Sequence, residues 1–248
     1  MPPSASPAPL FSIIVPTLNE EKGLAATLRA LRRLRSQPYE LVVSDSGSSD
    51  RTRQVAREFA DQVVSYNDQP KTAARGRNVG AAVARGDILV FIDADVDIQN
   101  IDAFFTTLAE LFASNPQVVG AVPRINVFPH LHTAGDRFAF ALVNGGFWLL
   151  NNYCGVGAGG GDCHVVRRDA FAQVGGYNPE LRSGEDNEFM SRLAKVGRTR
   201  SVWSLVVYHE GRHEHAVGWT RLWGRWITDG IYIRLTGKPY RNDWKVIR

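Results

Sequence analysis

Asp93, Asp95 and Asp97 follow directly on the chain's most uniform apolar run, Ile88–Ile92, in the stretch Gly-Asp-Ile-Leu-Val-Phe-Ile-Asp-Ala-Asp-Val-Asp that opens at Gly86. Carboxylate oxygens are hard donors that suit Mg²⁺ or Mn²⁺, and such an ion commonly shares its shell with phosphate oxygens. The predicted chemistry is a divalent cation holding a diphosphate at the end of a buried strand. An acidic turn held by its own Asx bonds would give the same letters. A second acidic motif, Gly184-Glu185-Asp186, opens a predicted helix far along the chain. Its carboxylates complement a helix N-terminus, and Asp186 could equally take a proton from a hydroxyl as a general base.

Two further patterns carry more than one reading. His209-Glu210-Gly211-Arg212-His213 matches the zinc-protease signature H-E-x-x-H, which needs both histidines on one helix. Here residues 204–208 are β-branched and strand-like and Gly211 disfavours helix, so the residues support a single His209 at a strand end, reaching the same metal as the aspartates. Gly155-x-Gly-x-x-Gly160 matches the dinucleotide fingerprint in form. It follows a helix-like segment where that fingerprint needs a strand, so a flexible loop walling a substrate pocket is expected instead. Lys71, Arg75 and Arg77 precede the acidic run by one helix and are candidate phosphate ligands, since guanidinium forks match phosphate oxygens.

These residues need elements to hold them. Apolar runs at 11–15, 41–43, 62–66 and 88–92 read as strands, and 3.6-residue periodicity at 24–34, 51–59 and 73–85 reads as helices between them. That alternation predicts right-handed crossovers and an α/β fold with a mostly parallel, Rossmann-like sheet flanked by helices. Asp93 and its neighbours would then sit in the crevice beyond the strands' carboxyl ends. Farther on, helices are expected at 101–112, 136–150, 169–174, 185–196 and 217–235, and strands at 118–122, 163–166 and 202–208.

The 248 residues, 44% hydrophobic and 22% charged, suit a soluble globular chain with a full core. A net charge of +4 suits an anionic ligand or an acidic membrane surface and is too small to argue for nucleic acid. Two cysteines, Cys154 and Cys163, cannot form a disulfide framework, which points to a reducing cytoplasm. The Pro-rich residues 1–10 read as a disordered tail, and the apolar window at 138–150 falls short of the roughly 20 residues that a membrane span needs. The expected organisation is a nucleotide-type half at 11–98, a substrate half at 99–215 and a helical, aromatic and basic segment at 216–248, forming one domain. That last segment, with the apolar window, would permit contact with the inner face of a membrane.

From Ser12 to His213 the motifs together resemble the family 2 glycosyltransferases, which have the GT-A fold. The residues carrying the resemblance are 12–21 (Ser-Ile-Ile-Val-Pro-Thr-Leu-Asn-Glu-Glu), Asp45-Ser-Gly-Ser-Ser-Asp50, Arg77-Asn78-x-Gly80, Asp93-Ala-Asp95, Gly184-Glu185-Asp186 and Val207-Tyr208-His209-Glu210. The resemblance implies that Pro16, Asn19 and Glu20 line a nucleotide pocket, that Asp45 bonds the base and that Arg77 lies near the diphosphate. It implies further that Asp93 contacts the ribose or the metal shell, that Asp95 and His209 bind Mn²⁺ or Mg²⁺, that Glu185 belongs to the substrate pocket and that Asp186 is the base of an inverting displacement. Ser46 departs from the family's second acidic residue in the base-binding loop. The implied activity is transfer from a nucleotide-diphosphate sugar, UDP-sugar first and GDP-mannose second, to a hydroxyl of a glycan, a lipid-linked or a small-molecule acceptor. The rivals are a retaining transferase on the same scaffold, a nucleotide-sugar-binding module without turnover and, more distantly, the zinc protease at His209 and His213.

Overall fold

The computed structural model of the protein describes residues 9–236 and 238. The expected disordered tail lies outside the described residues over 1–8, as does the end of the aromatic and basic segment at 237 and 239–248. In chain order the elements are β1 (Phe11–Thr17), α1 (Leu24–Leu31), β2 (Tyr39–Asp45), α2 (Thr52–Phe59), β3 (Gln62–Ser65), α3 (Ala73–Val83), β4 (Ile88–Ile92) and α4 (Ile101–Ser114). They continue as β5 (Val118–Val127), α5 (Ala134–Asn152), β6 (Cys163–Arg167), α6 (Arg168–Gln173), α7 (Glu185–Leu193), β7 (Arg198–His209), α8 (Arg212–Val217) and α9 (Trp219–Thr236).

All seven strands join one sheet in the order β3-β2-β1-β4-β6-β5-β7. Pairing is parallel for β1 with β2 and β4, for β2 with β3 and for β5 with β7, while β6 runs antiparallel to both β4 and β5. The carboxyl ends of β1, β2, β4, β5 and β7 therefore share one edge with the amino end of β6. The chain leaves β1 for β2 on one side and returns to β4 on the other, which opens a ligand crevice at that edge. Helices cover both faces, so strand residues are buried alternately on two sides. Phe11, Ile13 and Val15 join one apolar cluster, whereas Ile14, Val42 and Phe91 join the other. Strands buried on both faces explain the unbroken apolar runs of the sequence.

Four departures from the expected elements have local causes. Strand β5 runs five residues past the expected end because Pro123 falls at a register shift against β7, where its missing N–H costs no ladder bond. Strand β6 is reversed, so the sheet is mixed at its centre. Helix α7 ends at Leu193, where the Val196 and Gly197 amides both turn back to the Leu193 carbonyl. Helix α8, absent from the expectation, follows β7 through a left-handed turn at Gly211, φ 69°. His209 thus ends a strand and His213 lies in a separate helix, which removes the shared helical face that the zinc-protease signature requires.

Candidate active site

Strand β4 delivers its aspartates to the carboxyl edge, but they do not alternate as a continued strand. Asp93 and Asp95 lie in a turn, whereas Asp97 exchanges both backbone hydrogen bonds with Tyr208 and sets its carboxylate 3.7 Å from Arg33. The acidic run thus brings Asp93 and Asp95 to the strand's carboxyl edge and ties β4's end to β7 through the Asp97 backbone.

Arg77, on α3, lies beneath this turn with 1% of its side chain exposed. Its guanidinium donates to Asp93 Oδ1 at 2.9 Å, to Glu185 Oε1 at 2.8 Å and to the Gly161 carbonyl at 2.9 Å, and it stacks over the Tyr177 ring at 5.3 Å. The expectation placed it near a diphosphate. In the structure it clamps the β4 turn, where the aspartates stand, to the start of α7. Burial works against its charge, and the flanking Asp93 and Glu185 carboxylates more than offset that and hold its pKa above the ordinary value.

The clamp brings the two acidic motifs together around one glycine. A Cβ on Gly161 would stand 3.8 Å from Asp186 Oδ2, 3.9 Å from Asp93 Oδ2 and 3.5 Å from Arg77 Nη2. Burial and the neighbouring Glu185 charge push the Asp186 carboxyl up to about 7. Its Oδ1 accepts from the Asn187 amide at 2.7 Å, and its Oδ2 is the oxygen turned toward Gly161. Asp93 is also pushed up to about 7, by burial first, with Arg77 opposing and Asp162 and Asp95 adding to the rise.

The glycine-rich segment is a packed wall and not the flexible loop expected. Gly157, at φ 75°, sits so close to α7 that a Cβ would meet the Met190 carbonyl oxygen. Asn151 holds the same segment by accepting from the Ala158 amide at 3.2 Å and donating to its carbonyl at 2.8 Å.

Asp95 pairs with Arg212 of α8 at 2.7 Å. His209 ends β7 with its Nδ1 3.8 Å from Asp162 and 4.0 Å from Glu214. Burial works against its charged form, but Asp162, Glu214, Asp95 and Asp93 raise its pKa above the ordinary value. Its Nε2 is buried with no hydrogen-bond partner. An imidazole with two carboxylates near its Nδ1 and an orphaned Nε2 fits a divalent cation. Among the described residues, however, no three acidic, histidine or cysteine side chains stand together as a complete metal site. The donor set therefore fits an ion that takes its remaining ligands from a diphosphate and water.

The other expected pocket residues form the scaffold between β1 and β2. The buried Asp45 carboxylate accepts from the Gly47 amide at 3.1 Å, the Ser48 amide at 3.0 Å and the Ser48 hydroxyl. Asn19, at φ 55°, receives the Ser49 amide at 2.8 Å, and its own amide donates to Ser48 Oγ at 2.9 Å. The Glu20 amide donates to Thr52 at 2.8 Å, and Pro16 rests against Gly76 of α3.

Helices α5, α8 and α9 brace the far side. Asp136 of α5 is fully buried, closes a capping box with Thr133 and accepts from Trp219 Nε1 at 2.8 Å, with His215 Nε2 at 3.0 Å. Phe140 meets the His209 ring edge-on at 5.4 Å, and Ile233 of α9 packs on Gly184, just before Asp186. Asp162, Arg212 and Glu214 are site residues that the motif reading missed. Arg212 and Glu214 had one visible signal, their place within and directly after the histidine motif, which had been weighed only for zinc.

The glycosyl transferase family 2 sequence pattern matches residues 12–175. A validoxylamine A glucosyltransferase of Streptomyces hygroscopicus subsp. limoneus is 30% identical over 250 residues, covering 86% of this chain and 55% of its own length. The first relatives matched are longer proteins, of which this chain spans 55–62%. The fold is similar to a mannosyltransferase from Pyrobaculum calidifontis in complex with GDP-Man and Mn²⁺, at TM-score 0.66 and 19% identity, over 90% of this chain and 65% of that one. It is similar also to glucosyl-3-phosphoglycerate synthase from Mycobacterium tuberculosis in complex with Mn²⁺, UDP and glucosyl-3-phosphoglycerate, at TM-score 0.63 and 19% identity, over 93% and 81%. The chain belongs to glycosyl transferase family 2 and has the GT-A fold of these neighbours.

Proposed function

We propose that this chain transfers a sugar from a nucleotide-diphosphate donor to an acceptor hydroxyl, with inversion at the anomeric carbon. The observation that carries the reading is the convergence of Asp93 and Asp186 on Gly161, with His209 next to the adjacent Asp162, at the carboxyl edge of the sheet. Asp186 takes the acceptor proton as the acceptor oxygen attacks the anomeric carbon, while the bond from that carbon to the diphosphate breaks. A carboxyl raised to about 7 is matched to that task near neutral pH. Glu185, held on Arg77, stands next to Asp186 and contributes to that rise.

Asp95 and His209 are the residues that would hold Mn²⁺ or Mg²⁺, with Asp93 in its outer shell or on the ribose. When bound, the cation neutralises the charge of the diphosphate leaving group. Asp45, Asn19, Glu20 and Pro16 shape the nucleotide pocket through the loops they brace. A UDP-sugar is the first donor and GDP-mannose the second, in keeping with the UDP and GDP-Man held by similar structures.

The test is a thermal-shift titration with UDP, GDP, CDP and ADP, each with and without Mn²⁺, on wild type and Asp95→Ala. A ligand that binds only the folded state raises the unfolding midpoint with the logarithm of its saturation. One nucleotide should give a Mn²⁺-dependent shift that Asp95→Ala abolishes. Absence of a shift with all four would overturn the donor and metal assignments together. NMR of the product's anomeric configuration decides between inversion and retention.

A further inference from the structure

We infer that the outer face of α5 docks this protein on an anionic membrane surface. That its acceptor is drawn from the lipid plane rests on the glycosyltransferase reading; the docking itself does not. Phe138, Leu142 and Leu149 lie at helix positions i, i+4 and i+11, on one stripe, and are 69%, 49% and 51% exposed. Trp148 and Tyr153 extend the stripe, their rings 4.9 Å apart and both exposed. Gly145 and Gly146, midway, face open space and flatten it. Exposed apolar side chains in such a continuous row mark a surface for another apolar phase.

Charge favours a bilayer over a protein partner or a second copy. Along α5 the only ionisable residues are Asp136, which is fully buried, and Arg137, which is exposed next to Phe138. At the far end Arg200 approaches the Asn152 carbonyl at 3.5 Å, and Arg124 lies 5.0 Å over the ring of Trp203, itself exposed. An apolar row with aromatics, cations at both ends and no exposed carboxylate along the helix has the make-up of a helix lying in a headgroup layer. Among the described residues no helix is long and apolar enough to cross a membrane, so the face would rest on the bilayer. The opposite face of α5 carries Phe140 against His209. One helix diameter, about 10 Å, separates the docking face from the site.

Co-sedimentation of the full chain with phosphatidylcholine vesicles, with and without phosphatidylglycerol, tests this at low and high salt. Wild type should sediment with the phosphatidylglycerol vesicles at low salt. The double variant Phe138→Ser/Leu149→Ser should lose about tenfold in partition coefficient at an unchanged unfolding midpoint. Arg137→Glu should weaken binding to the anionic vesicles more than to the neutral ones. The inference is overturned if wild type stays in the supernatant at low salt, if the double variant binds as wild type does, or if light scattering shows that the double variant turns a dimer into a monomer. Nucleotide-dependent thermal shifts without vesicles report on the donor site alone, so failure of docking and failure of the transferase reading are read separately.

Discussion

Replacing Arg77 by methionine preserves most of the side-chain volume and deletes the charge that joins Asp93 to Glu185. Three donor contacts of 2.8 to 2.9 Å vanish, and two carboxylates are left facing one another. Breaking a buried pair by removing one partner costs roughly 3–5 kcal/mol. The low end applies here, because the Asp93 side chain is 36% exposed and water screens its charge once Arg77 is gone. About 3 kcal/mol in a chain of this size lowers the unfolding midpoint by about 6–12 °C. The assay is thermal unfolding by circular dichroism of Arg77→Met, Glu185→Gln and the double variant. Removing Glu185's charge as well relieves the orphaned partner, so the double should be more stable than the sum of the singles by about 1 kcal/mol or more. The orphaned Asp93 carboxyl has a folded pKa above its unfolded one, so the folded variant binds an extra proton. Its deficit therefore grows with rising pH and narrows as pH falls toward about 7. A midpoint within about 3 °C of wild type, or strict additivity in the double, would refute the clamp.

Asp186→Asn should retain nucleotide binding and lose about 10²- to 10⁴-fold in kcat, measured by release of the nucleoside diphosphate; turnover above a tenth of wild type would exclude Asp186 as the base. In wild type kcat should rise tenfold per pH unit below about 7 and level off above it, because only the ionised carboxylate accepts the proton. Arg212→Ala frees Asp95 from a pair whose members are 28% and 30% exposed, so it should move stability by about 1 kcal/mol or less. The same change should tighten Mn²⁺ binding in calorimetry without nucleotide, and an unchanged or weaker affinity would show that Asp95 is not the cation's ligand. Asp136→Asn leaves the His215, Trp219 and Thr133 donors poorly matched and should cost about 2 kcal/mol in urea unfolding. These donors hold the Asp136 pKa well below the carboxylate range, although burial opposes them. The stability this bond set contributes is thus present above about pH 4 and lost as pH falls through the folded pKa, a loss that the Asn variant should not show.

The first half of the fold was legible because its physics is local. An apolar run of five residues ended by Pro16 or by Asp93 has the length of a strand buried on both faces, and Leu24, Leu28 and Leu31 at helical spacing are all fully or nearly fully buried in the helix they predict. The acidic motifs were legible too, since their letters announce chemistry wherever they stand. What the side chains do with each other was not. Asp45 and Asn19 resemble ligand residues, and the hydrogen bonds each closes within its pair of loops were not visible in the sequence. Asn144 looks like an interruption in an apolar helix. It bonds both the amide and the carbonyl of Ile125, replacing a strand partner that β5 lacks at that point.

The reversal of β6 explains why the rest was hidden. Because β6 enters the sheet from the carboxyl edge, the residues just before it, Gly161 and Asp162, land beside the ends of β4 and β7. Nothing within residues 155–166 states that direction, since a strand reads alike from either end. The reversal sets the Asp162 carbonyl on the Asp93 amide at 3.1 Å and its carboxylate 3.8 Å from His209. It also gives Arg77 the Gly161 carbonyl as its third acceptor. Arg77 could therefore be identified as important from its motif, but its task depends on a carbonyl 84 residues away that only the topology delivers. A cationic side chain near an acidic cluster reads as a phosphate ligand when its neighbours are unknown. With 1% of its side chain exposed and three acceptors in reach, the same arginine is an internal cross-link whose loss is felt first in stability.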